Sequence, residues 1–202
     1  MNLHEGTLQI VRLTPEDARK NTDNYRNFRE GIINKSDIYP GVSGWFDRKV
    51  TPDISSSNRI GYIGCSEGGL VGATGLVKLS GRRAKICHLS VDKDCQRGRM
   101  GEVLFLLMIL EASKFAKDIH FTLPANLWGN LSSFFKSFGF DKAQNLGYLY
   151  RSSVEELICS QSFLDVRRAL QTKIPKIINN LDSDTTLMDR FSALKMIRSL
   201  ME

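Results

Sequence analysis

Between Ala84 and Gly101 the chain reads AKICHLSVDKDCQRGRMG, a β-prone run that empties into a basic, glycine-containing turn and then into an apolar helix. A helix that starts this way presents backbone N–H groups and the positive end of its dipole, which together favour an anion. Arg97 and Arg99 add two cations beside it. The chemistry on offer is retention of a phosphate-like group where a strand ends.

The elements that must position this turn fit within one domain and a small appendage, given 202 residues of which 42% are hydrophobic. A net charge of +6 suits an anionic ligand or partner; it is compatible with nucleic acid but does not indicate it. Cys65, Cys87, Cys95 and Cys159 are scattered without metal-ligand spacing, so thiols are expected rather than disulfides, and no metal. The start, MNLHEGTLQIV, lacks a basic segment followed by an apolar run. The longest apolar run, VLFLLMIL, is too short to span a bilayer. The expectation is a soluble cytoplasmic protein without membrane contact.

In chain order, Thr7–Leu13 reads as a strand, and Thr14-Pro15-Glu16-Asp17 as a helix start with a hydroxyl cap, an early proline and acids near the positive end. The polar run through Asn34 predicts one or two helices broken around Gly31. Trp45, Phe46 and Val50 suggest a short amphipathic turn. Ile60–Cys65, Leu70–Leu79 and Lys85–Val91 predict an antiparallel meander, turned at Glu67-Gly68-Gly69 and Gly81-Arg82-Arg83. The helix after Gly101 is apolar nearly all round and must be buried against the sheet. Ile119–Leu123 predicts a strand parallel to the one before that helix, through a right-handed crossover. Leu131–Phe138 reads as a helix and Leu146–Arg151 as a last strand.

This order, with its turn, resembles the GNAT acyltransferase superfamily over about Leu8 to Arg151. The carrying motifs are Val91 followed by Gln96-Arg97-Gly98-Arg99-Met100-Gly101, against a Gln/Arg-x-x-Gly-x-Gly/Ala turn, and the aromatic run Phe134-Phe135-Lys136-Ser137-Phe138-Gly139-Phe140. The resemblance implies an α/β fold: a central mixed sheet flanked by helices, occupying residues 1–152, with a helical C-terminal extension at 153–202. It also implies an acyl-coenzyme A co-substrate, most simply acetyl-coenzyme A. The implied binding set is Leu89, Ser90, Val91, Gln96, Arg97, Gly98, Arg99, Met100, Gly101 and Glu102 from strand and turn. Asn130, Ser133 and Phe135 join it from the following helix.

Three departures bear on the chemistry. Arg99 replaces the middle glycine: it costs stability if the backbone needs positive φ, and reaches a phosphate oxygen if it does not. Lys85 stands where the family often has a glutamate base. His88 and His120, on neighbouring strands, are the substitutes, since imidazole titrates near neutrality. Alternation puts His88 on the face opposite Lys85, Leu89 and Val91 unless a bulge re-aims it. Phe135 stands where a tyrosine often protonates the departing thiolate, leaving Tyr148 or Tyr150 as replacements.

Beyond Arg151, Val154–Cys159, Phe163–Ile174 and Thr186–Met201 read as helices, interrupted at Pro175. Their apolar face serves core packing, a homodimer contact or a lid; Arg167, Arg168, Lys173 and Lys176 make another face basic. Two functions stay open: an N-acyltransferase acting on an amine-bearing acceptor, small molecule or macromolecule, and a catalytically degenerate binding domain for an anionic ligand, nucleic acid or partner protein.

Overall fold

Local signals at the start of the chain act as read. In the computed structural model, which describes residues 9–34, 41–65, 71–93, 99–148 and 154–183 together with 195, 197 and 198, strand β1 (Gln9–Arg12) runs into helix α1 (Pro15–Lys20). The Thr14 hydroxyl accepts from the Asp17 N–H while the Asp17 carboxylate accepts from the Thr14 N–H, a reciprocal cap. The break between helices falls at Asn21, which adopts the left-handed conformation, and not at Gly31. Gly31 lies inside α2 (Asp23–Ile33), and a Cβ there would meet Thr74 Cγ2 and Val71 Cγ1 at 3.0 Å. That glycine serves close helix–sheet approach. Helix α3 (Val42–Trp45) passes through a π-helical stretch (Phe46–Val50) into α4 (Thr51–Ser55).

The meander forms as β2 (Arg59–Cys65), β3 (Val71–Ser80) and β4 (Arg83–Val91), all antiparallel. Its first turn, Glu67-Gly68-Gly69, lies outside the described residues. Helix α5 (Met100–Ser113) crosses to β5 (Asp118–Pro124), parallel to β4. Helix α6 spans Ala125–Lys136, six residues earlier than the sequence suggested.

Of the expected last strand Leu146–Arg151, the part from Leu149 lies outside the described residues, and residues 146–148 are not strand. Beside a two-residue strand β6 (Gln144–Asn145), Leu146 and Gly147 bond to the backbone of Glu156, and β7 (Glu156–Ser162) fills the sheet position. Val154–Cys159 was expected to be helical. Leu157 and Cys159 instead alternate toward the core, a period of two that a short apolar stretch does not distinguish from helix. The extension therefore opens with a strand past residue 152, before α7 (Phe163–Ser183). Pro175 does not end that helix: Ile174 and Ile177, flanking it, are both buried, and their packing outweighs the roughly 3 kcal/mol of an interior proline. Most of Thr186–Met201 lies outside the described residues; Ile197 is buried in the core.

The sheet order is β1-β2-β3-β4-β5-β7-β6. One core lies between the sheet and α5, α6 and α7; α5 is buried all round, and Phe105 touches the rings of Phe121, Phe134, Phe135, Phe138 and Phe140. A second core, on the opposite face, gathers Leu13, Phe28, Phe46 and Ile54 under α1–α4.

Candidate functional site

Two features of β4 make a cleft. Its parallel ladder with β5 runs from Arg83 opposite Asp118 to Ile86 opposite Phe121 and then ends, although both strands continue. At the same place the β3–β4 register slips: Val77 faces Ile86 and Leu76 faces His88, so Cys87 is an extra, bulged residue. The strands splay beyond it. The resulting cleft, about 770 Å³, is walled by Cys87–Val91, by Thr122–Pro124 of β5, by Phe105, and by Leu127, Leu131, Phe134 and Phe135 of α6. Arg99, Gly101 and Glu102 at the start of α5 close one end.

The bulge decides where side chains go. Ala84 and Ile86 point into the core under α5, and so do Leu89 and Val91 after the bulge; Cys87 packs toward the core under α1–α4. His88 faces that same side, with Nε2 2.8 Å from the buried Thr74 hydroxyl. Burial pushes the Cys87 thiol pKa up, while Arg59, Lys85 and Lys78 pull it down. His120 lies across from Lys85 in the register. Its pKa is depressed by burial, and further by Lys85 and Arg83. His88 lines the cleft and His120 does not, so the histidine pair is not gathered at one point.

Of the expected binding set, Leu89, Ser90, Val91, Arg99, Gly101, Glu102 and Phe135 line the cleft. Gln96, Arg97 and Gly98 lie outside the described residues. Met100 turns away and is buried in the core. Asn130 and Ser133 are exposed on α6, mid-helix, off the cleft-facing stripe of Leu127, Leu131 and Phe134. The helix begins earlier than the sequence suggested, which rotates them out and removes their capping role. Tyr148 is 63% exposed on the stretch that is not a sheet strand, and it does not line the cleft; Tyr150 lies outside the described residues.

Arg99 caps α5 with φ of 53°, the left-handed conformation a glycine would take without strain. Its guanidinium stands 3.3 Å from the Glu102 carboxylate, which Lys173 of α7 also meets at 2.6 Å. Lys173 was read only as part of a basic face, because nothing in the sequence ties α7 to the first turn of α5. Thr74, Cys87 and the apolar stripe of α6 were missed for a similar reason: a bulge and a helix start are backbone events. Among the described residues no group of three or more His, Cys, Asp or Glu is placed to hold a metal, and no helix is long and apolar enough to cross a membrane.

No protein-family model and no curated protein matches the sequence. Solved structures do match the architecture. A protein assigned to the GNAT acetyltransferases of Desulfovibrio desulfuricans superposes with a TM-score of 0.59 at 11% identity, over 77% of this chain and 99% of that one. A ribosomal-protein alanine N-acetyltransferase of Escherichia coli gives 0.55 at 17%, over 77% and 94%. A GNAT-family acetyltransferase of Streptococcus pneumoniae gives 0.52 at 13%, over 77% and 99%. A mixed seven-stranded sheet with helices on both faces, split between its fourth and fifth strands, is the fold of the GNAT N-acetyltransferases, and this chain has that fold.

Proposed function

We propose that the protein is an acyl-coenzyme A dependent N-acyltransferase, most simply an acetyltransferase, acting by direct attack of an acceptor amine on the thioester. The observation that supports this is the end of the β4–β5 ladder at Ile86 and Phe121, with the first turn of α5 at the end of the same cleft. An open strand edge suits the amide-bearing arm of the co-substrate, and a helix start suits its pyrophosphate. The residues present fit: Gly101 leaves the helix start open, α6 supplies an apolar wall, and Arg99 supplies a cation. The Glu102 carboxylate at that end is compensated by Lys173 and Arg99.

In this reading the new C–N bond forms as the C–S bond breaks, and the carbonyl oxygen is stabilised by N–H donation from β4 near Leu89–Val91. Placing amine and thioester together supplies most of the rate. His88 takes the amine proton. The Thr74 hydroxyl, 2.8 Å from Nε2, holds the orientation of the ring. The thiolate takes its proton from solvent, since Phe135 has none to give.

Arg99 at positive φ and the substituted Lys85 and Phe135 favour the second reading, a degenerate binding domain of the same fold. Calorimetric titration with acetyl-coenzyme A and coenzyme A separates the two. Binding of either, with amine-dependent thiol release, supports the transferase; no heat and no thermal shift with both ends it. His88→Ala should lower turnover with little change in co-substrate affinity, and equal activity across a pH series would remove its role.

A further inference from the structure

The helix that follows the sheet touches the mouth of the cleft through one side chain. Val166, Leu170, Ile174 and Ile177 bury one face of α7 in the core under α5. That docking places the Lys173 ammonium 2.6 Å from the Glu102 carboxylate, with the two side chains only 15% and 19% exposed. The ring of the buried Phe138 has its centroid 5.0 Å from Nζ and favours the cation there as well.

Glu102 sits in the first turn of α5, where its carboxylate already answers the positive end of the helix. It also lines the cleft, so a phosphate entering at that end is a second anion in the same place. Arg99, which lines the cleft too, meets the other carboxylate oxygen at 3.3 Å with its side chain 48% exposed. The two cations are not equivalent. An exposed, long ion pair contributes little and yields readily to a better partner. The Lys173 pair is shorter, mostly buried and fixed by the docked helix. Arg99 is therefore the cation free to turn from Glu102 to a phosphate oxygen, as long as Lys173 keeps the carboxylate neutralised. The three groups then present one net positive charge to the ligand, and without Lys173 they present none.

We infer that Lys173 is a positioning residue for the phosphates of the co-substrate: by holding Glu102 it releases the Arg99 guanidinium, which makes α7 part of the binding site. The inference rests on the transferase reading for the ligand's identity, coenzyme A, and on the ion-pair geometry for the rest. Lys173 does not line the cleft itself and acts through Glu102. Affinity for a phosphate at this end thus depends on how α7 is docked, since an undocked α7 leaves a carboxylate facing the incoming anion.

The test titrates the full chain calorimetrically with coenzyme A and with inorganic pyrophosphate. Lys173→Met keeps the apolar stem and removes the charge, and it should weaken both ligands about tenfold or more. Adding Glu102→Gln to that variant should restore wild-type affinity to within about threefold, a rescue that loosened packing of α7 does not produce. Glu102→Gln alone should tighten binding of both ligands, and this arm decides the matter if Lys173→Met does not fold. Coenzyme A binding by wild type with equal affinity in Lys173→Met overturns the inference and leaves the transferase reading intact. So does a loss that Glu102→Gln fails to restore, or weaker binding in Glu102→Gln alone. Pyrophosphate binding that depends on Lys173, without coenzyme A binding, supports the role of Lys173 and ends the transferase reading. Binding of neither ligand by wild type overturns both.

Discussion

The two faces of this sheet differ in what they do with the same strands. Under α5, α6 and α7 the face is covered and largely aliphatic, with an aromatic cluster around Phe105. On the other face α1–α4 cover β2 and β3, while Lys85, His120 and Ser160 on β4, β5 and β7 remain partly or fully exposed. Alternation in a strand lets one sequence write both surfaces. What the contrast teaches is that packing and charge are divided between the two faces: the one under α5 carries most of the apolar core, and the other carries a row of basic side chains.

Substitutions in the aromatic cluster under α5 should cost folding first, and those at the start of α5 should cost binding. The largest effect is expected from Phe105→Ala, which removes a ring 1% exposed and in contact with five others. A loss of about 3–5 kcal/mol by urea denaturation is expected; a loss below about 1 kcal/mol would mean that the cluster around Phe105 is not what holds the sheet. Next comes Gly101→Asp. An added Cβ meets only Val91 Cγ2, at 3.5 Å, so the fold should tolerate it, and an acid in a first helical turn is favourable. Coenzyme A affinity should fall at least tenfold, read by calorimetry, while the urea midpoint holds; unchanged affinity would mean the turn is misassigned.

Arg99→Gly should move the two properties in opposite directions. Relief of the left-handed backbone should raise stability by about 1 kcal/mol, and loss of the guanidinium should weaken coenzyme A binding. A gain in both would show the cation to be idle. The smallest effect concerns His120, whose nuclear magnetic resonance titration should fall below the ordinary value of about 6.5. The folded protein then holds fewer protons than the unfolded chain between that depressed value and about 6.5, so this group costs stability as pH falls through the window and nothing above it. Lys85→Gln should move the midpoint upward; no movement would detach His120 from the basic row.

Much of the scaffold was legible because it rests on local rules. The Thr14 cap, the meander and the all-round apolar α5 each follow from short-range pattern, and the mixed sheet follows from their order. The errors fell where tertiary packing outvotes pattern. Gly31 was read as a break and is a contact surface; Pro175 was read as a stop and is carried through by buried isoleucines. Leu157 and Cys159 fit either period, and only the neighbouring β5 decides for strand. At the site, Phe135 stands on the cleft wall, whereas Asn130, Ser133 and Tyr148 do not line it, because element boundaries differ by a few residues from those the pattern suggests. The Arg59–Lys78–Lys85–His120 row was invisible because register is a property of pairs of strands.

The bulge at Cys87 makes β4 a strand with two parities. Up to Ile86 the even-numbered residues face α5, and from Leu89 the odd-numbered ones do. Deleting Cys87 would leave Ile86 and Leu89 on the same face by plain alternation, so the bulge is a one-residue insertion that the ladder absorbs without exchanging wall for acceptor face. Length change at this point thus alters the backbone at the mouth of the cleft while the wall residues keep their places.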